Sequence, residues 1–537
     1  MPLHFAIIFV TGGATLALEL LASRVMTPYF GVSLYIWTGI LSITLVALAA
    51  GYWWGGRLAT RLSAGKRGAT LNTVFLLLPA VSALCVVLSC LAYPHVFPLL
   101  ARIDLVLGAF SACLVLLGAP LVMCSAMNPL LVALLIRNNV GSGKPADAGA
   151  GRVFFTSTVG SVAGVVATAF YLIPTFSNFV SLLIVAVVLA LLPLSALRSG
   201  ASASADRKPL AITAALALLA SATLLWQAEA YLGRMWPVKH SGLDWSIEAS
   251  IGSLFGTVKV LKSTPIDDRG RFVRVYFQDG LIQNRMLSDG QSFTFYTYAL
   301  EALTLLHRPD VRSALVLGLG AGVVPMRLAA RGVEVTAVEI DPASFAVARR
   351  FFGLDQSKVR AIQADARTYL RDCAGNRDVI VVDLFHGDGT PEYLITRNFF
   401  ADLRKCISAR GVVVFNTFAD LEFPVGYAHF LTTLRAEFPY VTVYRPDTPG
   451  ARQLNSFVVA SVAVQTPGYA NIADIPPRFA QKLADMLSNP RQLDPELLAG
   501  GQVITDSRSA GTGDIARAQM SYRSQVAHDL PPAFLLN

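Results

Sequence analysis

Three carboxylates, Glu339, Asp365 and Asp383, each close a short apolar run, and a glycine trio, Gly318, Gly320 and Gly322, precedes the first of them. The glycines lie in ALVLGLGAGVVPMRLAARGVEVTAVEID, residues 314–341, which reads as strand, turn, helix and strand. Glycines there let the backbone turn tightly and let a ligand approach it, while the helix N-terminus offers unpaired N–H groups. Glu339, about 20 residues past the glycines, is placed to accept the hydroxyls of a ribose. Asp365, in Gln363-Ala364-Asp365-Ala366, suits an adenine amino group, with Ala366 beside it. Asp383, in Val381-Val382-Asp383-Leu384-Phe385-His386, suits the reacting centre. A carboxylate there could orient an attacking amine, accept its proton and offset developing charge. His386 is a second candidate proton carrier. One acid at a strand end is often only a helix cap, but three on successive strands converge on one crevice.

Such convergence needs a sheet whose strands end at one edge. The runs Val359 to Ile362, Asp378 to Val382 and Val412 to Phe415 alternate with helical stretches after an amphipathic helix from Phe293 to Leu306. That alternation predicts a doubly wound parallel sheet, an α/β Rossmann-like domain, with ligands at the carboxyl ends of its strands. Ahead of it, Thr257 to Leu261 and Phe272 to Phe277 alternate like half-buried strands, and Gln278-Asp279-Gly280 turns into Leu281-Ile282-Gln283. A small β domain is expected there.

The first half has a different character. With 54% hydrophobic and 15% charged residues, the chain is too apolar to be wholly water-soluble, and the excess precedes residue 230. About seven stretches approach membrane-spanning length: His4 to Ser23, Leu34 to Gly56, Leu71 to Tyr93, Leu105 to Ile136, Val153 to Ile173, Phe179 to Leu197 and Pro209 to Ala228. The fourth carries Pro120 and Asn128-Pro129, where a helix could break or re-enter. Small residues Gly160, Ser161, Gly164 and Ala167 in the fifth predict close helix contact. Met1 to His4 lacks a basic segment, so the first stretch does not read as a removable signal peptide.

The net charge of +9 does not point to nucleic acid, because the basic residues of this half cluster between apolar runs. Arg57, Arg61, Lys66 and Arg67 follow the second run, Arg137, Lys144 and Arg152 the fourth, and Arg198, Arg207 and Lys208 the sixth. The positive-inside rule makes those loops cytoplasmic and places everything after Ala228 outside, where nucleoside donors are scarce. Sequence leaves that conflict open. Cys85, Cys90, Cys113 and Cys124 lie in apolar runs, and Cys373 and Cys406 follow much later, so neither a disulfide framework nor a zinc site is expected. The expected organisation is a multi-span helical membrane domain (1–230), a linker and small β domain (231–292), a Rossmann-like domain (293–465) and a C-terminal helical tail (466–537).

Asp279-Gly280 with Gln283, Gly318 to Gly322, Val338-Glu339-Ile340-Asp341-Pro342, Asp365, Val382-Asp383, and Asn398-Phe399-Phe400 before Arg410-Gly411-Val412-Val413 resemble the spermidine synthase (polyamine aminopropyltransferase) family. Gly12-Gly13, Glu19, Arg24 and Phe30-Gly31 resemble the N-terminal part of bacterial proteins in which such a domain is fused to membrane helices. The resemblance implies transfer of an aminopropyl group from decarboxylated S-adenosylmethionine to a small-molecule amine, releasing methylthioadenosine without a metal. It implies that Gln283, Glu339 and Asp365 hold the donor and that Asp383 is the catalytic acid/base. A bacterial inner membrane location and a homodimer are among its implications.

This chain departs from the family at several positions. Ala321 replaces the acid that helps hold the donor's ammonium, Tyr296-Thr297-Tyr298 stands where the family has Tyr-His-Glu, and His386 falls on the family's second acid. The family's Tyr-Pro-Ser-Gly falls near Thr448-Pro449-Gly450-Ala451, and Asp388 or Glu392 could supply replacement charge. The loss at Ala321 raises intact S-adenosylmethionine as the alternative donor. A methyltransferase or lyase using it, and a transporter or sensor with a nucleoside-binding domain, are the competing readings. The methyltransferase is disfavoured by Leu317-Gly318, where an acid would be expected.

Overall fold

Seven helices among the described residues are long and apolar enough to cross a membrane: Pro2–Phe30, Ile36–Ser63, Leu71–Ile103, Leu105–Arg137, Ala150–Thr175, Asn178–Arg198 and Arg207–Trp226. Each contains or overlaps one apolar run of the sequence. The structure is a computed structural model that describes residues 2–64, 68–139, 149–199, 205–373, 375–385, 389–420, 423–447, 453–470, 472, 474–508 and 512–536. They fall into two units, Met1–Val238 with Ala527–Asn537, and Lys239–Val526.

The fourth candidate span does not break at its prolines. Helix Leu105–Cys113 passes through a π turn, Leu114–Gly118, into helix Ala119–Asn139. Pro120 has no N–H to give and crowds the preceding turn, and the wider π turn immediately before it absorbs both effects. The same arrangement, Thr168–Leu172, precedes Pro174. The first and fifth candidate spans meet backbone to backbone, as the small residues of the fifth predict. A Cβ on Gly12 would lie 2.3 Å from the Ser157 carbonyl oxygen, and one on Gly164 2.2 Å from that of Gly13. Ser161 donates its hydroxyl to the Gly12 carbonyl at 3.0 Å, the polar glue common between closely packed membrane helices.

From Val238 the chain builds a five-stranded sheet in chain order: β1 (Val238–His240), β2 (Leu243–Ser253), β3 (Gly256–Ser263), β4 (Val273–Gln278) and β5 (Leu281–Leu287). The β4–β5 turn holds Asp279 at φ 47° and Gly280 at φ 88°, the pair of positive angles that a two-residue hairpin requires. The Asp279 carboxylate accepts the Thr257 N–H at 2.9 Å, fastening the turn to β3.

The second sheet has the order β11-β12-β10-β9-β6-β7-β8. Its strands are β6 (Ser313–Leu317), β7 (Glu334–Glu339), β8 (Val359–Gln363), β9 (Arg377–Val382), β10 (Ile407–Asp420), β11 (Tyr440–Tyr444) and β12 (Gln453–Ser461). Strands β6 to β10 run parallel, but β12 is antiparallel to both β10 and β11. The sheet is therefore mixed and not wholly parallel as expected. The link from β11 to β12 is too short for a crossover, which needs about a dozen residues. Alternate residues of β6 enter opposite cores, Ala314 and Val316 on one face, Leu315 and Leu317 on the other. The chain runs outward through β6, β7 and β8, then returns to place β9 on the other side of β6. This reversal opens a crevice at the carboxyl ends of β6 and β9.

The expectation of no disulfide is corrected here. Cys373 and Cys406 are joined, with Cα atoms 5.2 Å apart and a sequence separation of 33. Helices Ala366–Arg371 and Arg397–Cys406 pack on the same face of the sheet, so their C-terminal ends meet although sequence spacing gives no hint of it.

Candidate active site

Gly318 leaves β6 at φ +95°, and a Cβ on it would lie 2.1 Å from the Asp383 carbonyl oxygen. Only glycine allows β9's exit to pass so close to the first turn. The Gly318 N–H reaches the Val338 carbonyl at 2.8 Å and the Asp383 N–H the Leu317 carbonyl at 2.9 Å, so the ends of β6, β7 and β9 are stitched together. Gly320 (φ +50°) and Gly322 (φ +77°) complete the loop, and Gly322 is the N-cap of helix Val323–Ala330.

These strand ends form the floor of a cavity of about 520 Å³. It is lined by Gln283, Gly318, Gly320, Glu339, Asp365, Ala366 and Asp383 of the residues read from sequence. Gly322 shapes the loop from its capping position, and His386 lies outside the described residues. Glu339 accepts the Leu319 N–H at 3.0 Å and the Asp341 N–H at 2.8 Å. Burial raises its pKa above the usual carboxylate value, and those N–H bonds oppose the rise. Asp365 caps helix Ala366–Arg371, accepting the Thr368 N–H at 2.8 Å and its hydroxyl at 2.9 Å through one oxygen.

Asp383 accepts Nδ2–H of Asn416 at 2.8 Å, and Asn416 in turn accepts Nδ2–H of Asn455 at 3.3 Å. Burial pushes the Asp383 carboxyl up to about 6; the Asn416 bond opposes the rise and the nearby Glu339 charge adds to it. A carboxylate with that pKa is ionised at neutral pH yet basic enough to take a proton, the compromise general base catalysis requires. The Tyr296 hydroxyl accepts Nδ2–H of Asn284 at 3.0 Å. Burial, with the Asp383 charge nearby, raises its pKa well above the ordinary phenol value.

A smaller cavity of about 130 Å³ shares Phe385, Gly389, Leu394, Asn416, Phe418 and Tyr522 with the first. The Phe385 and Phe418 rings lie 5.2 Å apart and those of Phe418 and Tyr522 5.9 Å apart. Asp420, at the end of β10, is a carboxylate among its lining. Sequence reading missed Asn416, Asn455 and Tyr522. Asn416 left a trace as a polar residue ending the apolar run Val412 to Phe415, whereas Asn455 and Tyr522 reach the site only through the antiparallel β12 and the helix Thr512–Asp529.

The strand ends that floor the cavity lie in a stretch similar to known proteins. Residues 294–459 match the family described as "Spermine/spermidine synthase domain". The polyamine aminopropyltransferase of Vibrio vulnificus is 36% identical over 163 residues, covering 29% of this chain and 54% of that one. The polyamine aminopropyltransferase of Neisseria meningitidis serogroup A is 29% identical over 248 residues, 44% of this chain and 87% of that one. The N-terminal histidine N-methyltransferase of Emericella nidulans is 32% identical over 158 residues, 27% of this chain and 28% of that one. The chain thus spans about half the length of the Vibrio vulnificus relative. The matched stretch contains the glycine loop and all three acids, and the C-terminal part of this chain, from residue 294 to residue 459, is a spermine/spermidine synthase domain.

Proposed function

We propose that this protein is a membrane-anchored transferase of the aminopropyltransferase type. It moves an alkyl group from a sulfonium nucleoside, S-adenosylmethionine or its decarboxylated form, to an amine and releases methylthioadenosine. The observation that carries this reading is Asp383, a half-buried carboxylate of raised pKa at the crevice where β6 and β9 diverge. Glu339 holds the ribose and Asp365 the adenine, with Gln283 also lining the cavity. The neutral amine attacks the carbon next to sulfur; a C–N bond forms as the C–S bond breaks, and the electron pair neutralises the sulfonium. The new ammonium gives its proton to Asp383, which Asn416 keeps oriented. The Phe385, Phe418 and Tyr522 rings line the acceptor side, and Asp420 offers a carboxylate to a second ammonium on a longer acceptor.

Incubation with labelled donor and amine, followed by mass spectrometry, tests the reaction class. Methylthioadenosine is the expected product. S-adenosylhomocysteine would replace this reading with a methyltransferase, the alternative kept alive by the similarity to a histidine N-methyltransferase.

The donor question turns on Ala321, which lines the cavity, is 2% exposed and packs with Val258, Val260 and Val323. Decarboxylated S-adenosylmethionine ends in a lone ammonium that needs a carboxylate, whereas the intact donor carries its own. The native protein is expected to bind the intact donor at least as well. Ala321→Asp should shift preference toward the decarboxylated form by about 10- to 150-fold, the equivalent of one hydrogen bond to a charged group. Competition calorimetry with both donors checks it. A strong native preference for the decarboxylated donor would show that another acid serves the ammonium.

A further inference from the structure

Two independent observations bear on the side of the bilayer that holds the unit Lys239–Val526. The first is charge. The loops after the second, fourth and sixth candidate spans carry or adjoin Arg57, Arg61, Lys66, Arg67, Arg137, Lys144, Arg152, Arg198, Arg207 and Lys208. On the other side, Gly31-Val32-Ser33 and Phe176-Ser177 are uncharged, and the loop at Asp104 sets that acid beside Arg102. Lys and Arg are retained on the cytoplasmic side, so the basic set faces the cytoplasm. The crossing Arg207–Trp226 then leads out of it.

The second observation is covalent. Cys85, Cys90, Cys113 and Cys124 are free thiols and all lie in candidate spans. The cysteines outside the spans, Cys373 and Cys406, are paired, with Cα atoms 5.2 Å apart, inside the roughly 4.4–6.8 Å that protein disulfides span. Cytoplasmic thiols are kept reduced, and stable structural disulfides belong to oxidising compartments.

We propose that the unit Lys239–Val526 lies on the non-cytoplasmic side of the membrane and carries the Cys373–Cys406 disulfide there as a permanent cross-link. In forming it, the two thiols lose two protons and pass two electrons, by thiol–disulfide exchange, to a disulfide-bearing protein oxidant of that compartment, which becomes a dithiol. The bond ties the start of β10 to the segment leading into β9. These are the strands whose far ends present Asn416 and Asp383. A sulfonium nucleoside would then have to be supplied on this face by a membrane-crossing step. The proposal does not depend on the reaction described above, and its test does not read activity.

Full-length chains expressed in a bacterial host and fused after Asn537 to alkaline phosphatase, or to green fluorescent protein, report the side directly. Active phosphatase and dark fluorescent protein are expected, with the opposite pattern for fusions at residue 204. Fluorescence with inactive phosphatase at the C-terminus overturns the proposal. In parallel, free thiols of the unfused protein are alkylated under denaturing conditions before tryptic digestion. Peptides 372–377 and 406–410 should appear cross-linked, and separate only after reduction. Recovery of both peptides alkylated without reductant also overturns the proposal, whatever the fusions show.

Discussion

Asp383→Asn should lower turnover by about 10²-fold or more, the usual contribution of a general base, while donor affinity stays within a few-fold of the native value. Asparagine still accepts Nδ2–H from Asn416 through its carbonyl oxygen, so the side chain keeps its position and loses only basicity. Single-turnover rates separate chemistry from binding, and an unchanged rate would remove Asp383 from the mechanism. The native protein should show an acid limb, with the rate falling as pH drops through about 6, where Asp383 takes up its proton; in the variant this limb should vanish.

The same substitution should stabilise the fold at neutral pH. The carboxyl titrates at about 6 in the folded protein against 3.8 ordinarily. Below both values it is protonated whether folded or unfolded. Between them the folded state holds a proton that the unfolded chain has released, so stability falls as pH rises through this window. Above pH 6 the folded state bears the whole cost of ionising this partly desolvated carboxylate, on the order of 3 kcal/mol. The Tm of the detergent-solubilised variant should exceed the native value at pH 7.5 and match it near pH 4. A variant less stable at pH 7.5 would contradict the desolvation account. Loss of activity joined to gain of stability is the signature of a group held under strain for function.

Glu339→Ala should weaken binding of methylthioadenosine by about 1.5–3 kcal/mol, roughly 10- to 150-fold. The carboxylate has two tasks: it faces the cavity, and it receives the Leu319 and Asp341 N–H groups that set the glycine loop against β7. Glu339→Gln keeps an acceptor oxygen for the loop and should lose less affinity than the alanine variant. Titration calorimetry that finds equal affinity in native protein and both variants would sink the ribose assignment. A fall in Tm for the alanine variant alone would measure the loop-fastening task separately.

Periodicity was enough to expose the candidate spans, the small β sheet and the strand–helix alternation, because burial of an apolar face is a local property written into every few residues. The acids Glu339, Asp365 and Asp383 were legible for a related reason. In a parallel sheet every strand ends at the same edge, so residues that close apolar runs must gather there. Tertiary structure decided what depends on contacts far apart in the chain. Asn416 was half visible at the end of an apolar run, but its bond to Asp383 follows from β10 pairing with β9. Asn455 arrives on β12, whose antiparallel course comes from a link too short to cross over. Tyr522 arrives on the helix Thr512–Asp529, nearly 140 residues beyond Asp383 and without any local mark of its role. The pairing of Cys373 with Cys406 is of the same kind. Two thiols 33 residues apart carry no pattern, and only the packing of two helix ends on one face of the sheet brings them within bonding reach. Hydropathy could mark the candidate spans and the basic loops between them, but the oxidised pair exists only in the folded chain.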